Sequence, residues 1–301
     1  MVDFTDRVAI VTGAGGGLGR SHALLLASMG AAVVVNDLGG TVHGEGASPR
    51  AADEVVAEIQ AAGGTAVADY SSVAAPESAE QIVAHALEEF GAVDVLVNNA
   101  GILRDRTFSN LTIDEMHAVL DVHLRGAFYV TQPVFNHMRG RGYGRIVMTS
   151  SASGIMGNFG QANYGAAKMG LVGLMNVLAI EGAKYGIKVN AVAPIAATRM
   201  TEGLLGEVFG YFEPHQVSPA VAYLASEECQ LTSELWSVGG GSASRVFVAL
   251  ADGYFKHPHE GALTVDDVVA NLEEIRSEDG YIVPFSSQDE FAKLGPRLLD
   301  R

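Results

Sequence analysis

The sequence is short of several things, and each shortage removes a class of protein. It has one cysteine, Cys229, in 301 residues, so an internal disulfide is impossible and a reducing, cytoplasmic setting is expected. Between Glu227–Glu228 and Gln230, that thiol reads as a small buried or inert residue rather than a nucleophile. Basic side chains are few: 19 against 35 acidic ones, a net charge of -16. That excess argues against nucleic acid or an anionic membrane as the main partner, although a local basic pocket could still hold a phosphate. Apolar runs such as AAVVV are strand-length, well short of a membrane span. Asp3, Asp6 and Arg7 interrupt the region where a secretory leader would need apolar residues. The 36 glycines follow no short period, which excludes a collagen-like chain. Lysine is rare enough that Lys168 is the first in the chain, after arginines alone from Arg7 to Arg145.

What is present is material for a core. Hydrophobic residues make up 48% and charged residues 18%, enough to bury a sizeable interior. The first 190 or so residues alternate between two patterns. Near-continuous apolar runs occur at 8–12, 32–36, 65–69, 93–98, 145–150 and 188–193, as expected for parallel strands covered on both faces. Between them lie stretches with helical spacing, such as 52–64, which ends in a glycine stop signal. This alternation predicts an α/β fold, one doubly wound parallel sheet with helices on both faces. Further on, 214–228 reads as a helix, 235–241 as a late strand ending in glycines, and 264–277 as another helix. The expected organisation is a nucleotide-binding domain over residues 1–250 and a C-terminal extension over 251–301 packed on it.

VTGAGGGLGR (11–20) follows the first run and opens the first helical stretch. Glycines at 13, 17 and 19 allow a tight turn and let a pyrophosphate approach backbone N–H groups at a helix N-terminus. The same glycines could serve only as a strand–helix turn. Asp37 ends the second strand, 18 residues after Gly19. A carboxylate there accepts ribose hydroxyls and repels a 2′-phosphate, which favours NAD over NADP, unless Asp37 is merely a helix cap or turn residue.

With TGAGGGLG (12–19), NNAG (98–101), Ser151, Tyr164 and Lys168 in this order and spacing, the chain resembles the short-chain dehydrogenase/reductase family and its Rossmann-type sheet. NNAGILRDR (98–106), VHLRGAF (122–128) and YGRIVMTSSASGIMGNFGQANY (143–164) resemble more narrowly the (3R)-hydroxyacyl-CoA dehydrogenase domains of peroxisomal multifunctional enzymes of type 2 (17β-hydroxysteroid dehydrogenase type 4-like). The likeness runs to about residue 245. It implies that Gly13, Gly17, Leu18 and Gly19 line the pyrophosphate loop, with Asp37 on the adenosine ribose. It places Ser72 and Val73 beside the adenine, Asn99 at the end of the fourth strand, and Ala196, Thr198 and Arg199 at the nicotinamide end. Ser151, Tyr164 and Lys168 become the catalytic residues, with the last two also contacting the cofactor. Two positions depart from the pattern: His123 stands where many relatives have a catalytic asparagine, and Ile195 where many have glycine. His123 is therefore carried as a candidate catalytic residue. Packing of the helices before and including Tyr164 into a homodimer or homotetramer is also implied.

The residue types suit the chemistry. Tyrosine titrates near 10 in isolation and is a weak base at neutral pH. Four residues apart on a helix, Tyr164 and Lys168 share a face, so the ammonium is expected to lower the phenol. A chance pair at this spacing arises about once in seven chains of this composition, so the pair carries weight only beside the other signals. Ser151, thirteen residues before Tyr164, can hydrogen-bond a substrate oxygen. HPH (257–259) reads as a solvated turn and no metal site is expected. TSSASG lacks the first glycine of a hydrolase elbow. Arg104 and Arg106 read as surface or ion-pair residues, or as contacts to an anionic part of a CoA ester. The expected reaction is NAD-dependent interconversion of a secondary alcohol and a ketone, on a small-molecule substrate: a (3R)-hydroxyacyl-CoA, with a hydroxysteroid or a non-catalytic NAD-binding role as alternatives.

Overall fold

A computed structural model of the chain describes residues 2–197 and 210–299. Two of the expected cofactor residues, Thr198 and Arg199, lie outside the described residues. The chain divides into two compact units, Met1–Arg245 and Val246–Arg301.

The first unit is built on the sheet. Strands β1 (Val8–Thr12), β2 (Ala32–Asn36), β3 (Thr65–Asp69), β4 (Val95–Asn98), β5 (Gly144–Thr149), β6 (Ile187–Pro194) and β7 (Leu235–Gly239) form where the apolar runs predict them. The sheet order is β3-β2-β1-β4-β5-β6-β7-β8, where β8 is Ser242–Val246. The six ladders linking β1 to β7 are all parallel. Every residue of β1, β4 and β5 is buried, which explains runs without polar alternation. β8 is the exception to the sequence reading. Gly240 and Gly241, at φ 56° and 78°, turn the chain back into a strand whose exposed SASRV sequence carries no apolar signal.

Helices α1 (Gly17–Ser28), α2 (Arg50–Ala61) and α3 (Pro76–Phe90) follow the first three strands. α3 has proline in its first turn and Gly91 at φ 74° past its end, the residue types that start and stop a helix. α4 (Ile113–Leu120) is started by a Thr112–Glu115 capping box. It runs through a π-helical turn, Asp121–Arg125, into α5 (Gly126–Arg141). After β5 come the single turn α6 (Ala152–Ile155) and the long α7 (Ala162–Gly182). α7 is apolar enough in composition to cross a membrane, but it packs as a core helix, burying nine residues that include Ala167, Lys168, Leu171 and Met175. Its last residue packs tightly: a Cβ at Gly182 would lie 2.9 Å from Ile187 Cβ. The expected helix over 214–228 is a short turn at Pro214–Gln216 followed by α8 (Ser218–Ala225). Between α1 and α8, His22 is buried, its Nδ1 2.8 Å from Ser218 Oγ.

In the second unit, 264–277 is not one helix. Asn271 breaks it into α9 (Val265–Ala270) and α10 (Leu272–Arg276), and α11 (Ser287–Leu299) follows. No described residue of this unit is buried. Lys256 pairs with Asp267 at 2.7 Å. His257 and His259 stack on each other in an exposed turn, and no metal-binding cluster occurs among the described residues.

Candidate active site

Parallel strands deliver their C-terminal ends to one edge of a sheet, and ligands bind there where the strand order reverses. Here β1 leads outward to β2 and β3 on one side and to β4 and β5 on the other. A cleft of about 570 Å³ lies against these ends. Gly13, Gly17, Leu18, Asp37, Ser72 and Val73 line one part of it, and Asn99, His123, Ser151, Tyr164, Lys168 and Ala196 the other. Residues 138 positions apart in sequence, Gly13 and Ser151, thus face one space.

The glycine loop is shaped by backbone contacts. A Cβ on Gly19 would stand 2.2 Å from the Gly13 carbonyl oxygen, so Gly19 backs the loop rather than lining the cleft. Gly13 and Gly17 adopt φ 65° and 51°, where glycine is favoured. No side chain caps α1 and no acid sits in its first turn, leaving its N–H groups to an external anion. Asp37 accepts hydrogen bonds from the Gly15 N–H at 2.8 Å and the Gly39 N–H at 2.7 Å. A carboxylate has about four acceptor positions, so two remain for hydroxyls. The uncapped helix, the loop that only glycine fits and this carboxylate suit a nicotinamide dinucleotide. Asn99 supports the same loop: its Nδ2 donates to the carbonyls of Thr12 at 2.9 Å and Gly13 at 3.1 Å.

Across the cleft, Ser151 caps α6, its Oγ accepting from the Ser153 N–H at 3.1 Å. Lys168 is 3% exposed. Its Nζ donates to the Thr149 carbonyl at 2.6 Å and lies 5.5 Å from the centre of the Tyr164 ring. Burial brings Lys168 down to about 7. The sequence expectation that Lys168 depresses the phenol is not met. Tyr164 is raised, chiefly by burial, with Asp105 adding to the rise and a hydrogen bond with Ser151 opposing it. Burying both groups together favours the uncharged form of each more than their proximity favours a charged one.

His123 sits in the π-helical turn, a feature that re-aims side chains at functional sites. Its ring meets Tyr164 edge-on at 5.1 Å between centres. Its Nε2 lies 2.8 Å from the Ile102 carbonyl oxygen and 3.0 Å from the Ile102 N–H, while Nδ1 is buried without a partner. Burial first, then the Lys168 charge, hold it neutral, well below the usual histidine range. Gly101 makes room for it, since a Cβ there would lie 2.3 Å from His123 Cε1.

Sequence reasoning missed several cleft residues. Thr41 to Gly44 of the β2–α2 loop fold over the segment after β4: the Leu103 N–H donates to the Val42 carbonyl at 2.9 Å. Arg104 and Arg106, read from the sequence as ion-pair residues or contacts to a CoA ester, both form ion pairs, Arg104 with Glu45 at 3.5 Å and Arg106 with Glu115 at 2.9 Å, and Arg104 also lines the cleft. Asn158 and Gln161 line it too, just ahead of Tyr164 in GNFGQANY.

The family model for short chain dehydrogenases matches residues 7–205. A short-chain type dehydrogenase/reductase of Mycobacterium tuberculosis is 54% identical over 278 residues, covering 91% of this chain and 96% of the relative. Peroxisomal multifunctional enzyme type 2 of Mus musculus is 50% identical over 273 residues, covering 90% of this chain but 37% of the mouse protein. The solved structure of the full-length type 2 enzyme from Drosophila melanogaster superposes with a TM-score of 0.83 at 38% identity, covering 99% of this chain and 50% of that one. The chain thus spans about the full length of the bacterial relative and half or less of these two animal enzymes. With two thirds of its length matched by the family model and a full-length bacterial relative at 54% identity, the chain belongs to the short-chain dehydrogenase/reductase family and is an oxidoreductase acting on CH–OH groups.

Proposed function

We propose that the chain oxidises a (3R)-3-hydroxyacyl-CoA to the 3-ketoacyl-CoA with NAD, and runs the reverse reaction when the ketone is supplied. The observation that carries this reading is the convergence of Ser151, Tyr164 and Lys168 on the cleft that also holds the glycine loop and Asp37. The near-50% identity to peroxisomal multifunctional enzymes supports the substrate class. NAD is favoured over NADP because Asp37 closes the end of β2 with a carboxylate, followed by Leu38 and Gly39 rather than a cation.

In this mechanism the Ser151 hydroxyl hydrogen-bonds the substrate's C3 oxygen, and Tyr164 takes the hydroxyl proton as general base. Gly13, Gly17, Leu18 and Asp37 would hold NAD, which would supply the hydride acceptor for C3 and the positive charge of its ring. Lys168, near 7, would hold ribose hydroxyls of the dinucleotide from its place beneath Tyr164. His123 stays neutral and holds Ile102 and the edge of Tyr164, acting on catalysis through position. Ala196 would border the nicotinamide end, and Ser72 and Val73 the adenine, all three lining the cleft.

A homodimer or homotetramer formed through α5 and α7 belongs to the same proposal, supported by exposed Phe128, Met169, Val177 and Ile180 on those helices. So does a cytoplasmic location, which the single buried Cys229 suits. Steady-state rates with NAD on matched 3R and 3S hydroxyacyl-CoA esters and on a 17β-hydroxysteroid test the substrate assignment. A strong preference for the 3R ester is expected; equal rates on both esters, or a better rate on the steroid, overturn it.

A further inference from the structure

One polar cluster in the cleft has no part in the chemistry above. Gln161 stands at the N-terminal cap position of α7, yet its side chain makes no capping bond. It is 8% exposed, three residues before Tyr164, and faces the cleft. Its Nε2 donates to Asp105 Oδ2 at 2.7 Å, and its Oε1 accepts from Asn158 Nδ2 at 3.0 Å. The backbone fixes the same arrangement: Arg106 bridges to Gln161, and the Arg106 N–H donates to the Gly160 carbonyl at 2.8 Å. Asn163 adds a bond from Nδ2 to the Arg104 carbonyl at 3.0 Å. The segments after β4 and before α7 are therefore joined at the point where Gln161 meets the cleft.

We propose that the Gln161 amide recognises the thioester carbonyl of the substrate and that Asp105 and Asn158 hold it in register to do so. The proposal rests on the hydroxyacyl-CoA reading above. A primary amide has two N–H donors and two acceptor lone pairs. Asp105 and Asn158 take one of each and fix which end is nitrogen, leaving one N–H on a side chain that can no longer rotate. In a 3-hydroxyacyl thioester, one methylene separates the carbonyl carbon from the carbinol carbon. With the carbinol at Tyr164, the carbonyl falls beside a residue one helical turn away. An uncharged amide suits an uncharged carbonyl, and a buried donor rejects an analogue that leaves it unpaired. Asp105 is a positioning residue with a second effect, since its negative charge also raises the Tyr164 phenol.

The test compares two substrates: a (3R)-3-hydroxyacyl-CoA and the matching 3-hydroxyalkyl-CoA thioether, which keeps the carbinol, chain and CoA but lacks the carbonyl. Gln161→Met, similar in volume, is expected to lower kcat/KM on the thioester about tenfold and on the thioether less than about twofold. Asp105→Ala, at an exposed position, is expected to erode the thioester preference in the same way. Asp105→Asn retains an acceptor for Gln161 Nε2 and is expected to keep the preference. Because it removes the charge, it also moves the limb where the oxidation rate rises with pH, set by Tyr164, to lower pH. Lys168 and His123 also face the phenol and are unchanged in this variant, so that movement reports Asp105. Equal losses on both substrates in Gln161→Met and Asp105→Ala overturn the amide assignment while leaving the hydroxyacyl-CoA reading intact. Failure of the wild-type enzyme to oxidise the thioester at all overturns that reading instead.

Discussion

Burial of His22 ties the stability of the fold to pH, and the size of the effect follows from the structure. The imidazole is 1% exposed; Nδ1 is bonded to Ser218 Oγ, and Nε2 is buried without a partner. Charging it would place an N–H donor where no acceptor stands, and burial lowers the group to about 3. An unfolded histidine titrates near 6.5, so between these values the unfolded chain binds more protons and stability falls as pH falls. From pH 7.5 to 5.5 the loss for one such group is about 1.4 kcal/mol. His123, also held neutral by burial, shifts stability in the same direction. Asn at position 22 can keep a bond to Ser218 without titrating. Urea unfolding of wild type and His22→Asn at both pH values, at one protein concentration, removes contributions common to the two. Wild type is expected to lose about 1.4 kcal/mol more than His22→Asn over that interval. An equal loss in the two proteins would refute a proton-free His22 in the fold.

Other substitutions probe the cleft. Tyr164→Phe removes the proposed base and is expected to reduce kcat at least about hundredfold, with NAD affinity by calorimetry little changed; near-normal turnover would assign the proton transfer elsewhere. Asp37→Ala should weaken NAD binding about tenfold or more while leaving NADP binding nearly unchanged, and an unaltered affinity ratio contradicts the ribose contact. Gly19→Ala forces a methyl to within 2.2 Å of the Gly13 carbonyl. An expected cost of about 1–3 kcal/mol in unfolding free energy, together with weaker NAD binding, checks the loop geometry.

The strands were legible in the sequence because burial on both faces leaves long apolar runs, and Val8–Thr12 and Ala32–Asn36 occur where those runs place them. Strand β8 was not legible, because an exposed SASRV segment is set by its Gly240–Gly241 turn rather than by apolar pattern. Spacing brought Tyr164 and Lys168 to one helical face but said nothing of how deeply both are buried, and burial reverses the expected direction for the phenol. The π-helical turn at His123 and the Asp105–Gln161 bond depend on contacts between segments about 20 and 56 positions apart. A single glutamine or histidine has no periodicity to announce such contacts. Asp37 was found as a ribose ligand candidate; its bonds to Gly15 and Gly39 add a second job that its place at a strand end does not encode.

The central claim is that C3 of a (3R)-3-hydroxyacyl-CoA is oxidised in this cleft at the expense of NAD. Mass spectrometry of the cofactor after turnover of substrate deuterated at C3 tests it most directly. One deuterium is expected in each reduced NAD molecule for every 3-ketoacyl-CoA formed, from the 3R substrate and not from its 3S counterpart. Reduced cofactor without deuterium, or label delivered only from the 3S substrate, would contradict it.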